Sequence, residues 1–230
     1  MTRSGTFRSI SARAALFAAG LLLMSSLGQP AFAQLGLDRE VVAASAITAD
    51  GEAKIVAHID RNKAGLTKDA DSISAARRQL LQPLREASVS SAFRLKYADL
   101  LVPVLGPMLS GENSDSAINA ARVLGEIGAQ KSADALVPAL KDARPQVRLV
   151  AAQALRATYE TAMQGRETAL GGGKATALLG SIDAAFRAEG DPAVADALIS
   201  AMDGAAGVSS IPNLRGAAIQ TMGAAIQAKA

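Results

Sequence analysis

KDARPQVRLVAAQALRA, residues 141–157, spaces its aliphatic side chains regularly and keeps most of them small. Val147, Val150, Ala151, Ala154 and Leu155, with Thr158 just beyond, fall at i, i+3, i+4, i+7, i+8 and i+11. That is the stripe an α-helix presents on one face. Pro145 stands where a helix tolerates proline, in the first turn, because the N–H it lacks has no intrahelical partner there. Alanine at 151 and 154 lets a second helix come close, while leucine at 155 fills the space between neighbouring helix pairs. This stretch predicts a thin helix packed on both sides by others like it.

Outward from it, the chain repeats. AINAARVLGEIG (117–128) and RLVAAQALRATY (148–159) superimpose with a shift of 31, pairing Ala120 with Ala151, Ala121 with Ala152 and Leu124 with Leu155. ADALVPAL (133–140) recurs as ADALISAM (195–202), a shift of 62 and so twice 31. A degenerate third copy of the first helix is expected near 179–190, with Phe186 in the place of Leu155. LRGAAIQTMGA (214–224) echoes VRLVAAQALRA with Arg215 against Arg148 and Met222 against Leu155; its shift of 67 places about five inserted residues in GAAGVSSIPN. Each unit reads as helix, turn, helix, turn. Asp115 or Ser116 is expected to cap the helix that stops at Gly128, and Ser132 to cap the next. Pro138 conflicts with that second helix, which must kink there or start later.

Val147, Arg148, Ala151, Ala152, Ala154 and Leu155, preceded by Asp142 and ADALVPALKD, resemble the short HEAT repeats similar to those of phycobilisome lyases. The resemblance is specific over about 114–160, moderate over 190–228 and weak before 110. It implies an all-α superhelix of stacked hairpins, with Asp142 in the turn and Arg148 at the helix start tying adjacent hairpins together. Ala117 stands at the Arg148 position of the earlier copy, so a ladder of such pairs is interrupted.

The segments DREVVAASAITA, EAKIVAHIDRNKAG, DSISAARRQLLQPL and SSAFRLKYADLLVPVLGPML also show apolar spacing near 3.6. Tyr97, Leu100, Leu101, Val104, Leu105 and Met108 form the clearest stripe among them, and Pro103 echoes Pro138. Residues 34–110 are therefore expected to be diverged hairpins or an amino-terminal cap to a repeat region over 111–230, since an end repeat otherwise leaves its apolar face in water. Before them, Arg3, Arg8 and Arg13 open a basic stretch, AALFAAGLLLM follows as an apolar run, and SSLGQPAFA ends in Ala31 and Ala33. That order is the plan of a secretory signal peptide over 1–33, cleaved after Ala33. A spanning helix needs about 20 apolar residues, and this run breaks at Ser25 and Ser26, so no integral membrane segment is expected after cleavage.

Composition narrows the chemistry. Removing 1–33 takes three of 24 basic residues and none of the 21 acidic ones, leaving 21 against 21. A balanced chain gives no chain-wide argument for nucleic acid or an anionic membrane. With no cysteine there is no disulfide framework, and stability rests on packing. Only Phe93, Tyr97, Tyr159 and Phe186 remain as aromatic rings, too few for a single large core of the usual kind and too few for stacked sugars or bases.

Candidate chemical residues each have a plainer reading. His58, the sole histidine, lies beside Asp60 in positional terms but lacks a nucleophile by motif and is read as an ordinary helix residue. One histidine without cysteine leaves no usual transition-metal site, and no calcium loop of the required spacing is present. RETALGGGKAT (166–176) fails as a phosphate loop, because Thr168 occupies the first required glycine and Ala175 follows Lys174; it is read as a turn between hairpins. Arg77, Arg78, Arg85, Arg94 and Lys96 form the densest basic patch, but Asp69, Asp71, Glu86 and Asp99 lie among them, so a mixed-charge solvated face is expected. GENSDS (111–116) reads as a loop with a helix cap. No Gly-x-Ser-x-Gly elbow or paired-carboxylate motif occurs. The sequence thus predicts a non-catalytic scaffold, exported to the periplasm or cell exterior, that meets a protein or peptide through a modest polar interface with arginine contributing. An enzyme related to the repeat-bearing lyases and a structural envelope component are the alternatives. No cofactor or nucleic acid is expected, and no catalytic, metal or binding residue is singled out.

Overall fold

The computed structural model describes residues 36–164 and 169–229; the expected signal peptide over 1–33 lies outside these residues. The described residues are helical throughout, without a strand. In chain order the helices are α1 (Arg39–Ala43), α2 (Ala49–Lys63), α3 (Ala70–Leu81), α4 (Ser91–Leu109), α5 (Ser114–Ile127), α6 (Gln130–Leu136), α7 (Pro145–Gln164), α8 (Gly172–Ala188), α9 (Pro192–Gly207) and α10 (Leu214–Lys229). Short 3-10 turns extend α2, α3 and α6 over Ala64–Thr67, Gln82–Arg85 and Val137–Lys141. Two layers result. α3, α5, α7 and α9 stack side by side in one, and α4, α6 with its 3-10 extension, α8 and α10 line up in the other. α2 closes the beginning by packing on both α3 and α4.

The 141–157 stripe builds the first layer. Val147, Val150, Ala151, Ala154, Leu155 and Thr158 are all buried, and α7 packs α5 on one side and α9 on the other. The same register repeats in its neighbours: Ser116, Asn119, Ala120, Val123, Leu124 and Ile127 on α5, and Val194, Ala197, Leu198, Ala201, Met202 and Ala205 on α9 are buried too. α5 and α7 approach so closely that a Cβ on Gly125 would lie 2.6 Å from the Ala154 carbonyl oxygen and 2.7 Å from its Cα. The close approach expected of Ala154 is real, and the glycine opposite it completes it. In α4 the buried seam is Phe93, Tyr97, Leu101, Leu105 and Leu109, with Leu100, Val104 and Met108 only half-buried beside it. Pro103 and Pro107 lie on the exposed side of α4, which runs on through both.

The repeat is present, but its phase is not the one a shift of 62 implies. Residues 133–140 belong to α6 and its 3-10 turn in the second layer, whereas 195–202 belong to α9 in the first. The copies near 179–190 and 214–224 fall in α8 and α10, likewise in the second layer, so neither is a structural counterpart of α7. The reason is length. α7 has 20 residues against 14 for α5 and is followed by a connection over 165–171, so the step from Pro145 to Pro192 is 47 residues. α9 is the true successor of α7, with Pro192 and Val194 answering Pro145 and Val147.

Helix ends depart from expectation at two caps. Asn113, rather than Asp115 or Ser116, caps α5, its side-chain oxygen accepting from the Ser116 N–H at 3.0 Å. α6 starts two residues before Ser132, whose buried hydroxyl instead donates back to the Ala129 carbonyl at 2.7 Å. Gly128 ends α5 in the left-handed region at φ 67°, as its type allows. Pro138 turns α6 into a 3-10 segment, the local tightening that accommodates a missing N–H. DREVVAASAITA forms only the short α1 and the start of α2.

Polar ties join the layers. The buried Tyr97 and Tyr159 hydroxyls donate to the carbonyls of Leu80 and Ala175, each at 2.8 Å. Arg94 donates to the carbonyls of Glu126 and Ile127 at the end of α5, and Arg144 does so to Leu109 and Gly111 at the end of α4. Both place a cation at a helix C-terminus, where the carbonyl dipoles favour it.

Candidate functional site

A groove of about 260 Å³ on the first layer is lined by residues of α3 and its 3-10 extension, α5 and α7. Arg78, Leu81 and Arg85 recur at helical spacing along one side, with Arg77 next to them; Arg122 and Glu126 stand one turn apart on α5. α7 contributes Val150, Gln153, Ala154 and Ala157. Leu81, between Arg78 and Arg85 on α3, and Val150 and Ala154 on α7, beyond Arg122 of α5, are buried and give the groove an apolar floor beside its arginines. It exists because these helices turn their stripes edgewise into the stack and leave the adjoining residues, a turn away, to the surface.

Four arginines share this groove with a single carboxylate, Glu126. Arg78, Arg85 and Arg122 form no ion pair among the described residues, and Glu126, although four residues after Arg122, forms none either. Arg77 donates to the Asn119 side-chain oxygen at 2.9 Å, and Asn119 in turn donates to the Asp115 carbonyl at 2.7 Å, which fixes the amide's orientation and so aims the guanidinium. Burial, then repulsion from Arg122, Arg78 and Arg85, lowers the Arg77 pKa from the ordinary arginine value. It stays cationic, as arginine does in proteins. An uncompensated cluster of planar, five-donor cations around an apolar floor is chemically suited to bidentate contact with carboxylates.

The basic patch read from the sequence divides. Arg77, Arg78 and Arg85 enter the groove, Arg94 turns to the end of α5, and Lys96 pairs with Glu52 at 3.1 Å. The acids expected to neutralise it are partly engaged elsewhere: Asp69 caps α3 through the Ser72 N–H and hydroxyl, and Asp99 pairs with Lys131. Arg78 and Arg85 do lie on an exposed face, and Arg122 is the member of the groove that the sequence reading did not include. Its only signal was its position on the exposed edge of the 117–128 helix, and nothing in one sequence relates that edge to Arg78.

The remaining candidates stay structural. His58 is fully buried in α2, its Nε2 within 3.1 Å of the Gln79 carbonyl and its Nδ1 unpartnered, and burial lowers its pKa. Gly172, Gly173 and Lys174 form the first turn of α8 rather than a turn between helices, while residues 165–168 lie outside those described. Arg148 and Asp142 do tie neighbouring elements, with partners other than a simple carboxylate pair. Arg148 donates to the Asp142 carbonyl at 2.9 Å and grips the Glu189 carboxylate at 2.7 and 2.9 Å. The Asp142 carboxylate takes Arg144 instead, at 2.8 Å to each oxygen. The described residues hold no cluster of metal-ligating side chains, and no described helix is long and apolar enough to cross a membrane.

Residues 102–170 match the family model for HEAT repeats, beginning inside α4 and running through α7. Among solved structures, an archaeal HEAT-like repeats protein from Thermococcus onnurineus NA1 is similar at 14% identity and a TM-score of 0.34, over 84% of this chain and 97% of that one. No match was found among curated proteins. The match to HEAT repeats thus holds for residues 102–170, and the described residues as a whole form an all-helical stack of hairpins.

Proposed function

We propose that the protein is an exported, non-catalytic interaction scaffold that engages a protein partner along its first helix layer, at the arginine-lined groove. The observation that supports it is the set of three exposed arginines, Arg78, Arg85 and Arg122, that form no ion pair among the described residues and stand beside the apolar Leu81, Val150 and Ala154. Stacked helical pairs give a continuous surface with room for a protein segment. Arginine is the charged side chain most used at interfaces, because its planar fork keeps its hydrogen bonds ordered. The leader pattern over 1–33 supports delivery to the periplasm or cell exterior.

A photo-cross-linking amino acid at Gln153, exposed at the groove, tests the reading in the producing cell. A discrete adduct with one protein, abolished by Arg122→Glu and recovered from the envelope or medium, is the expected result. Adducts equally abundant from a probe at Arg187 on α8, or none from Gln153, would defeat it. Turnover of a metabolite by the purified chain would point instead to an enzyme of the lyase type.

A further inference from the structure

Resting on that reading, we infer that the groove takes an acidic linear segment of the partner, with carboxylates on both sides of one aliphatic side chain. The charge argument comes first. Four guanidinium groups face one carboxylate, a local excess of three positive charges in a stretch, 34–230, that holds 21 basic and 21 acidic residues in all. Residues 1–35 contain no Asp or Glu, and among the described residues no carboxylate forms an ion pair with Arg78, Arg85 or Arg122. The counter-charge comes from another molecule.

The shape and lining then choose among anions. Leu81 between Arg78 and Arg85, and Val150, Ala154 and Ala157 on the α7 side, put aliphatic carbon beside the arginines, which suits a Leu- or Val-like side chain and adds nothing for a bare phosphate beyond the guanidinium groups. No aromatic ring lines the groove, so nucleotide bases have no stacking platform there. Gln153 adds an amide able to pair with a peptide backbone group, as an exposed side chain beside the floor. Arg78, Leu81 and Arg85 follow one another along α3 and its 3-10 extension, with Arg122 of α5 alongside and Val150, Ala154 and Ala157 of α7 beyond it, so a segment running along α3 meets charge, then hydrocarbon, then charge. Arg77, held by Asn119, is oriented before the ligand arrives, which lowers the ordering cost of binding.

The same arrangement predicts a separation of binding from stability. Arg122, Arg78 and Arg85 repel the partly desolvated Arg77 guanidinium, so removing Arg78 or Arg122 relieves that repulsion while weakening recognition. The test uses the full chain and a fluorescent peptide with Glu on both sides of a central Leu, read by anisotropy at low and at physiological salt. We expect saturable binding that weakens as salt rises, a loss of about tenfold or more for Arg78→Gln and for Arg122→Gln, and wild-type binding for Arg187→Gln, whose partner Asp183 is on α8. Replacing every Glu of the peptide by Gln should abolish binding, and replacing its Leu by Gly should weaken it. The melting temperatures of Arg78→Gln and Arg122→Gln should equal or exceed the parent's, so that lost binding is not lost folding. Equal binding of the Glu and Gln peptides, unchanged binding by both arginine variants, or preferential binding of inorganic phosphate or an oligonucleotide would overturn the inference. If such a failure accompanied a clean Gln153 adduct, only the ligand chemistry would be wrong; failure of the adduct itself would remove the scaffold reading.

Discussion

At the scale of single residues, the two buried positions most exposed to test are Leu155 and His58. Leu155 is fully buried between α7 and its neighbours, and Leu155→Ala is expected to lower stability by about 2 to 5 kcal/mol through lost transfer energy and a cavity, read by urea unfolding. An unfolding midpoint equal to the parent's would show that the space beside it collapses or is not core. His58 makes a different prediction because it is the only histidine in the chain. Its folded-state pKa lies below the ordinary 6.5, so the unfolded chain binds a proton that the folded chain resists. Stability is therefore full above pH 6.5 and falls as the pH drops below it. In tag-free protein, His58→Gln should flatten the stability slope between about pH 7 and 5.5, where no Asp or Glu of ordinary pKa titrates. A slope unchanged by the substitution would assign it elsewhere. Of the groove, three arginines were legible in the sequence as a dense patch, but their significance was not. Neutralisation depends on where Asp69 and Asp99 turn their carboxylates, and α3 and α5 meet only after the chain has folded.

Between residues and whole lies the helix pair, where the sequence and the structure agree on pattern and disagree on phase. The i, i+3, i+4 stripe fixed α7 and, by a shift of 31, α5, because both are first-layer helices of one register. Beyond them, alanine-rich helices of the two layers look alike: Ala195 to Met202 and Ala133 to Leu140 share residues although they face opposite sides of the core. Only the length of α7 and the connection after it separate the two readings. The close α5–α7 approach gives a paired prediction. Gly125→Ala thrusts a methyl against the Ala154 backbone and should cost about 1 to 3 kcal/mol, whereas at Gly204 the nearest atom to a new Cβ is the flexible Arg156 Cγ at 3.3 Å, so Gly204→Ala should change little. Thermal melts that rank the two the other way would refute this packing. The turn before α9 offers a second test. Glu189 is held to a pKa of about 2, first by Arg148 and then by the N–H groups of Asp191 and Gly190. A lowered carboxylate pKa contributes stability that is complete above the unfolded value near 4.5 and disappears as the pH falls towards 2. Glu189→Gln should thus cost about 1.5 to 3 kcal/mol at neutral pH and less under acid conditions, measured by denaturant titration at each pH.

Across the whole molecule, stability in such a stack is set by neighbours, because each thin helix pair buries its apolar face only against the next. The scarcity of aromatic rings announced this: Phe93 and Tyr97 stack at 5.1 Å near the beginning of the described region, Tyr159 ties α7 to α8, Phe186 meets Lys229, and no large ring fills a common centre. The two ends of α7's layer and the last helix are accordingly unequal. α7 is covered on both sides, by α5 and α9, whereas α10 buries only Leu214, Ala218 and Ala225 and leaves Ile219 and Ile226 half exposed. Local opening should therefore be easiest in α10 and hardest in α5 and α7, since the free energy of opening follows the apolar contact that must be broken. Amide hydrogen exchange measured by mass spectrometry checks this directly: peptides from 214–229 should exchange first among the long helices, those from 114–127 and 145–164 last. Leu155→Ala should then accelerate exchange in α5 and α9 together, because it weakens the element they share, while Ile226→Gln should leave both unchanged. Uniform protection across all the helices, collapsing together in each variant, would mean one cooperative core in place of a row of mutually dependent pairs.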